Sequence, residues 1–321
     1  MAITLKDLIG ITKELPEEYL EEAYEALKGI KDKAEAEKES KPVECLRCCS
    51  IKVVRNGKQN GRQVYLCKDC GKTFAETATS AIAHSHSSKT VWKQVIRDTV
   101  DGISIDKTAD ALDLAHSTVF NMRHKILCCV EQAILNTPGM LEGVCEADET
   151  YILESVKGRK IPEDYHRKPR KHGAKASKAG LSNEYICVCT SVDADNNCMT
   201  AAVNRATPSK AEIEQVFGDK VTADTVILCD GSKQYDALEE KCTVAHSKRV
   251  NKVNGFHSFI KDRLLAACGV ATIYLNRYNA LFSHIYGKQD SAADKIYELM
   301  TARNGSFSDI ESLKSQSLLI L

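Results

Sequence analysis

Two sets of residues in this chain have the types and spacing to do chemistry. The first is a pair of CxxC motifs, Cys45-Leu46-Arg47-Cys48 and Cys67-Lys68-Asp69-Cys70, separated by eighteen residues. A CxxC knuckle lets two thiolates reach one ion from a tight turn, and a second knuckle at this spacing completes a tetrahedral four-thiolate site. Such a site suits structural Zn²⁺ and leaves no open position for catalysis. The second set is Asp148, Asp230 and His257. Asp148 follows Val144-Cys145-Glu146-Ala147, and Asp230 ends the apolar run Thr225-Val226-Ile227-Leu228-Cys229 just before Gly231. His257 lies in Val253-Asn254-Gly255-Phe256-His257-Ser258-Phe259-Ile260-Lys261, a helix opening. A carboxylate at a strand end is costly to bury unless it pairs or binds a cation. Two of them plus a helix-borne ligand can hold a pair of divalent ions, Mg²⁺ or Mn²⁺, about 4 Å apart for phosphodiester chemistry. Asn254, one turn earlier, and Glu149, next to the first Asp, compete with His257 for the third place. Glu149 points away from Asp148 if its strand is regular, because successive side chains alternate faces.

These residues need elements to hold them. Residues 43–76 read as a zinc ribbon, with Gly71 and Lys72-Thr73-Phe74 leaving the second knuckle as a strand. Residues 86–135 read as helices broken at Asp101-Gly102 and near Ala115-His116-Ser117. Within them, 102–127 has the form of a helix-turn-helix. Ile105, Ala109 and Leu112 line the first helix, and Ser117 is the expected N-cap of the second, which turns Val119, Met122 and Ile126 inward. That pattern sends His116, Thr118, Asn121, Arg123 and Lys125 outward, toward base edges and phosphates. Asn136-Thr137-Pro138-Gly139 reads as the linker into a catalytic domain over 142–289. There, strand runs come first and then alternate with helices, which argues for a mixed α/β domain. The segment 254–282 reads as one long helical region. Residues 1–42 form an acidic helical region and 290–321 a helical tail.

Composition narrows the setting. No apolar run approaches the roughly 18 residues of a membrane span, and the acidic N-terminus lacks the features of a signal peptide. A cytoplasmic protein with no membrane partner is expected, so the 14 cysteines should be reduced. Cys187, Cys189, Cys229 and Cys242 lie in strand-like apolar runs and read as small buried hydrophobes. The net charge is zero, with 44 basic and 44 acidic residues, yet the charges are segregated. Residues 157–178 carry nine Lys or Arg, among them Lys157, Arg159, Lys160, Arg167, Lys168, Arg170 and Lys171, against Glu163 and Asp164. A local patch of this kind sets the field that a phosphate backbone feels.

The chain resembles bacterial transposases of the insertion-sequence fifteen-ninety-five family, which join a zinc ribbon to an ISXO-type catalytic domain. The resemblance rests on the CxxC pair, on Glu146-Ala147-Asp148-Glu149-Thr150-Tyr151, on Leu228-Cys229-Asp230-Gly231 with Tyr235, on Val250-Asn251-Lys252-Val253-Asn254 leading into His257-Ser258-Phe259-Ile260-Lys261, and on Gly269-Val270-Ala271-Thr272-Ile273-Tyr274-Leu275 with Tyr278. It implies a multidomain α/β protein in which the ribbon and helix-turn-helix precede an RNase H-like mixed sheet. It implies an Asp148, Asp230, His257, Lys261 catalytic set that cuts and joins double-stranded DNA at transposon ends, acting as a homo-oligomer on terminal repeats and target. His257 and Lys261, four residues apart, share a helix face, and Lys261 serves as a phosphate ligand. A DNA-binding regulator derived from a transposase, or a nuclease of the same fold, would use the same modules. The intact Asp148, Asp230 and His257 set argues against the first, and two DNA-reading modules argue against the second.

Overall fold

A computed structural model of the chain describes residues 44–301, apart from 46–47, 49, 60–61, 76–79, 84, 138–139, 159–162, 164, 166–175, 178–179, 206, 248 and 268. The regions expected to be helical at 1–42 and beyond 301 lie outside the described residues. The chain divides into two compact units, Met1–Glu76 and Thr77–Leu321.

In the first unit, β1 (Val53–Gln59), β2 (Arg62–Cys67) and β3 (Thr73–Ala75) form an antiparallel sheet in sequence order. Its apolar content is small: Tyr65 stacks on Phe74 with ring centroids 5.9 Å apart. A segment this short and polar cannot hold its fold by burial alone and calls for a cross-link or a metal.

The second unit opens with three helices. Ser88 caps α1 (Lys89–Asp101) by accepting from Val91 N, and Gly102 ends it in the left-handed region at φ 77°. Ser104 caps α2 (Ile105–Leu112) in the same way, through Lys107 N. The third helix, α3 (His116–Leu135), starts two residues earlier than expected: its N-cap is Ala115, with no side-chain cap, and Ser117 falls inside the first turn. Ala109, Val119, Met122 and Ile126 are buried, with Ile105 and Leu112 packed against them.

A five-stranded mixed sheet follows, built from β4 (Val144–Leu153), β5 (Tyr185–Val192), β6 (Cys198–Ala202), β7 (Val226–Cys229) and β8 (Thr243–His246) in the order β6-β5-β4-β7-β8. β4 lies at the centre, antiparallel to β5 and parallel to β7, and β8 is parallel to β7. The odd-numbered residues of the central strands (Cys145, Ala147, Cys187, Cys189, Ile227, Cys229) face a core completed by α4 (Lys210–Phe217) and by Tyr235 and Leu238. The cysteines in these strands are buried, as small apolar residues should be.

The opposite face is covered by α5 (Asn251–Ala266) and α6 (Leu275–Ile285), and α7 (Gln289–Thr301) closes the described chain. The single long helix expected here is broken. α5 ends at Ala266, Gly269 adopts φ 90°, and a 3-10 turn at Thr272–Tyr274 leads into α6. α5, α6 and α7 share one hydrophobic core with α1, α2 and α3. The expected linker therefore does not separate two cores. Lys220, only 2% exposed, donates from Nζ to Leu135 O at 2.8 Å and Thr137 O at 3.1 Å, tying the end of α3 to the sheet. Among the described residues no helix is long and apolar enough to cross a membrane.

Candidate functional site

The two CxxC knuckles meet in the first unit. The Sγ atoms of Cys45, Cys48, Cys67 and Cys70 lie within 4.8 Å of one another. Cys45 and Cys70, and likewise Cys48 and Cys67, approach to 3.6 Å. A tetrahedron with metal–sulfur bonds of about 2.3 Å has sulfur–sulfur edges of roughly 3.8 Å, so the spacing suits one tetrahedral ion. The knuckle geometry comes from the backbone: Gly71 N donates to Cys67 O at 3.0 Å, and Cys67 N donates to Lys72 O at 3.0 Å. Gly71 holds φ 67°, a conformation that disfavours residues with a side chain.

In the sheet, the register places the two carboxylates side by side. Ala147 of β4 pairs with Cys229 of β7, in parallel. The next residue on each strand is Asp148 and Asp230. Asp148 turns to the even-numbered face, toward α5, Asp230 is exposed in the bend after β7, and neighbouring strands lie about 4.8 Å apart. Asp148 is half-buried. Burial pushes its carboxyl above the usual range, the like charge of Asp230 adds to the rise, and the Glu149 backbone N–H (2.9 Å) and the Lys261 ammonium oppose it. Two carboxylates against one ammonium beside the end of β7 make an anionic cluster that a hard cation would relieve.

Glu149 turns to the other face, as strand alternation requires. Burial lifts its carboxyl to about 7, with the Tyr235 phenol beside it opposing and the charges of Asp148 and Asp230 adding. It belongs to the core behind the site.

Glu146, two residues before Asp148 and on the same face, docks α5. Its Oε2 accepts from Lys252 N at 2.6 Å and Val253 N at 3.2 Å, both in the first turn of the helix. Successive helix residues are about 100° apart, so Asn254 and Lys261, seven residues apart, point within about 20° of each other. Both are exposed. Asn254 Nδ2 donates to Val250 O at 2.6 Å, which leaves Oδ1 as the outward acceptor. His257 is turned about 60° from Asn254 toward the core, where Val253, Phe256 and Ile260 are buried. It is 4% exposed, and its Nε2 is buried with no hydrogen-bond partner. Burial, reinforced by the Lys261 charge, lowers its pKa to about 4 and keeps it neutral. Asp148, Asp230 and His257 do not converge within one ion-sized sphere. Among the described residues the four cysteines are the only group of His, Cys, Asp or Glu that does.

The residues expected to face DNA divide. His116 and Asn121 are exposed, while Thr118 and Lys125 are half-buried. Arg123 is a correction: it is 7% exposed, and its Nη2 donates to Ile103 O at 2.7 Å. It lies one turn after Val119, inside the buried stripe, and fastens α3 to the turn between α1 and α2. Lys157 is exposed, with Nζ 3.4 Å from Gly269 O. Arg159, Lys160, Arg167, Lys168, Arg170 and Lys171 lie outside the described residues. Sequence reasoning missed Glu146 and Arg263. For Glu146 the signal was present, an acid two residues from Asp148 on the same strand face.

Comparison with known proteins bears on the sheet unit. Residues 140–284 match the model of the ISXO2-like transposase domain. An uncharacterised protein in the transposable element ISH50 of Halobacterium salinarum is 24% identical over 200 residues, covering 62% of this chain and 65% of that protein. The chain therefore spans somewhat less than two thirds of the relative's length. Two Mos1 transposase structures align weakly. The pre-cleavage transpososome has a TM-score of 0.27 and 12% identity over 65% of this chain and 76% of that one. The strand transfer complex has a TM-score of 0.29 and 12% identity over 71% and 78%. At such scores the alignments carry no argument. Residues 140–284, the stretch that carries the sheet, the paired carboxylates and α5, are similar to the ISXO2-like transposase domain, and the ISH50 protein is a distant relative of the chain.

Proposed function

We propose that the chain cuts and joins DNA at the ends of an insertion sequence, using divalent ions held by Asp148 and Asp230. The observation that supports this reading most is that Asp148 and Asp230 each follow the in-register pair Ala147 and Cys229 of the parallel strands β4 and β7, close enough for the charges of Asp230 and Lys261 to act on Asp148, inside the segment that matches the transposase domain. The strand order, with the antiparallel pair β5 and β6 on one side of β4 and the parallel β7 and β8 on the other, supports an RNase H-like reading. Bound Mg²⁺ or Mn²⁺ would supply an activated water or 3′-hydroxyl and stabilise the leaving oxygen. Asp148 and Asp230 hold the cations, and Lys261 holds a phosphate of the strand as a point charge. For the third ligand, burial favours Asn254 over His257, because Asn254 shares the exposed face with Lys261 and offers a hard oxygen. His257 then packs beneath the site. The four cysteines hold a Zn²⁺ ion that fixes the ribbon, and the ribbon and the α2–α3 hairpin hold double-stranded DNA.

The test is strand cleavage on a duplex that carries the element's own terminal sequence. Asp148→Asn and Asp230→Asn should each lower the rate at least a thousandfold with DNA affinity unchanged. Full cleavage by either variant sinks the assignment.

A further inference from the structure

A second basic site lies on the far side of α5. A cavity of about 190 Å³ opens between the turn after α1, the first turn of α2, the start of α3, α5 and α6. Four basic side chains from three segments line it: His116 and Arg123 of α3, Lys157 after β4, and Arg263 of α5. Only one carboxylate, Asp106, shares the lining, and it faces His116 at 3.5 Å. Arg263 lies across Gly102, donates to Val100 O at 3.1 Å, and stacks on Phe259 with its guanidinium 5.1 Å from the ring centroid. Arg123 is more than nine-tenths buried, and its Nε is enclosed with no hydrogen-bond partner. Burial lowers its pKa, and the Tyr278 phenol, which also lines the cavity, and then Asp98 compensate part of that cost. Burying guanidinium groups around an open cavity is costly unless an anion completes the arrangement. Arginine is suited to that task because its planar fork matches phosphate oxygens.

We propose that this cavity is a phosphate site, and that its occupant is a backbone phosphate of the DNA on which the transposase domain acts. The choice of DNA as the source rests on the function proposed above. The geometry supports it, because Lys261 and Arg263 are two residues apart on α5 and point to opposite sides of it. The site therefore lies across one helix thickness, roughly 10 Å, from the paired carboxylates. It also joins the start of α3 to Lys157, the first residue of the basic stretch. Those two features otherwise looked like separate DNA contacts.

The experiment uses the full chain with Lys157→Gln, Arg263→Gln and, as a control on the opposite face of the sheet, Lys210→Gln. Binding to a random-sequence duplex of about 30 base pairs is followed by fluorescence anisotropy from 50 to 200 mM salt. Inorganic phosphate is titrated in thermal melts against chloride at equal ionic strength. Each neutralised phosphate contributes a slope of about −0.9 to log K against log salt. Lys157→Gln and Arg263→Gln should each flatten that slope by about one unit and weaken binding three- to tenfold at 100 mM salt. Lys210→Gln should leave both unchanged, and phosphate should raise the melting temperature of wild type but not of the double variant. Unchanged slopes in both variants, or equal flattening in Lys210→Gln, overturn the proposal. If wild type binds no DNA yet phosphate protects it in an Arg263-dependent way, the DNA function fails while a free-anion site stands. Lys157 is exposed, so Lys157→Gln keeps the test decisive even if Arg263→Gln misfolds.

Discussion

Removing the Glu146 carboxylate should loosen the start of α5 and slow cleavage without touching a metal ligand or a DNA contact. The carboxylate accepts from two first-turn N–H groups, at 2.6 and 3.2 Å. It thereby satisfies two of the four donors that a helix start leaves open. Each such bond to a charged group is worth about 1.5–3 kcal/mol when dry. Glu146 is only partly buried, so water replaces much of that in Glu146→Ala, and a net loss of about 2 kcal/mol follows, at the upper end for a lost helix cap. For a unit of this size that lowers the melting temperature by roughly 4–8 °C. If the helix start must be docked for Asn254 and Lys261 to face Asp148, the same 2 kcal/mol lowers kcat about thirtyfold. Glu146→Gln keeps an acceptor oxygen and gives up the charge at the positive end of the helix, worth about 0.3–1 kcal/mol, so its rate should fall two- to fivefold. Thermal melts and single-turnover cleavage on one duplex measure both effects, and DNA affinity should stay within twofold throughout. A Glu146→Ala protein that melts lower but cleaves at the wild-type rate would refute the positioning argument, leaving Glu146 as a stabilising cap and nothing more.

Three further outcomes are expected. Asn254→Ala should lose at least a hundredfold in cleavage while binding DNA normally, whereas His257→Gln should lose less than tenfold; the reverse order in the same assay returns His257 to the ligand set. Purified protein should contain about one zinc per chain by metal analysis, and Cys45→Ser with Cys67→Ser should contain none; wild type free of zinc after expression in zinc-replete medium removes the ribbon site. His257 is held neutral by burial, with its pKa lowered to about 4, so the sign runs against acid. Above pH 6.5 it adds nothing to the pH dependence, and as pH falls from 6.5 toward 4 the unfolded chain takes up a proton that the folded one refuses. That costs up to about 3 kcal/mol, and urea melts should show His257→Gln losing less stability than wild type between pH 6.5 and 4.5; parallel loss in the two proteins removes His257 as the cause.

What could be read in the sequence was local. The CxxC spacing names its four ligands without any fold, because a knuckle is a turn of four residues and its geometry travels with it. Asp230 announces itself as an acid at a strand end, whereas Asp148, read in the same way, sits in the middle of β4; alternation along β4 already separates Asp148 from Glu149. The helix breaks at Gly102 and before His116 follow from turn chemistry that needs no partner. Assignments that depend on which side of a helix is covered were less secure. Arg123 was placed outward because it is charged, yet it falls one turn after Val119 and fills a gap over Ile103 O. The cover on that side comes from α6, more than 150 residues later in the chain.

The same ambiguity governs the third ligand. Spacing alone admits two pairings with Lys261: His257 at four residues, about 40° away, and Asn254 at seven, about 20° away. Either could share a face with the lysine, and helical periodicity has no further information to add. Burial separates them, and burial here is set from outside the helix. Glu146 pins the first turn of α5 to β4, which rotates Val253, Phe256 and Ile260 onto the core and carries His257 with them. A contact between residues more than a hundred positions apart therefore decides which side chain of a local motif stays exposed on the face of Lys261. The residue that makes that contact lies in plain view two positions before Asp148.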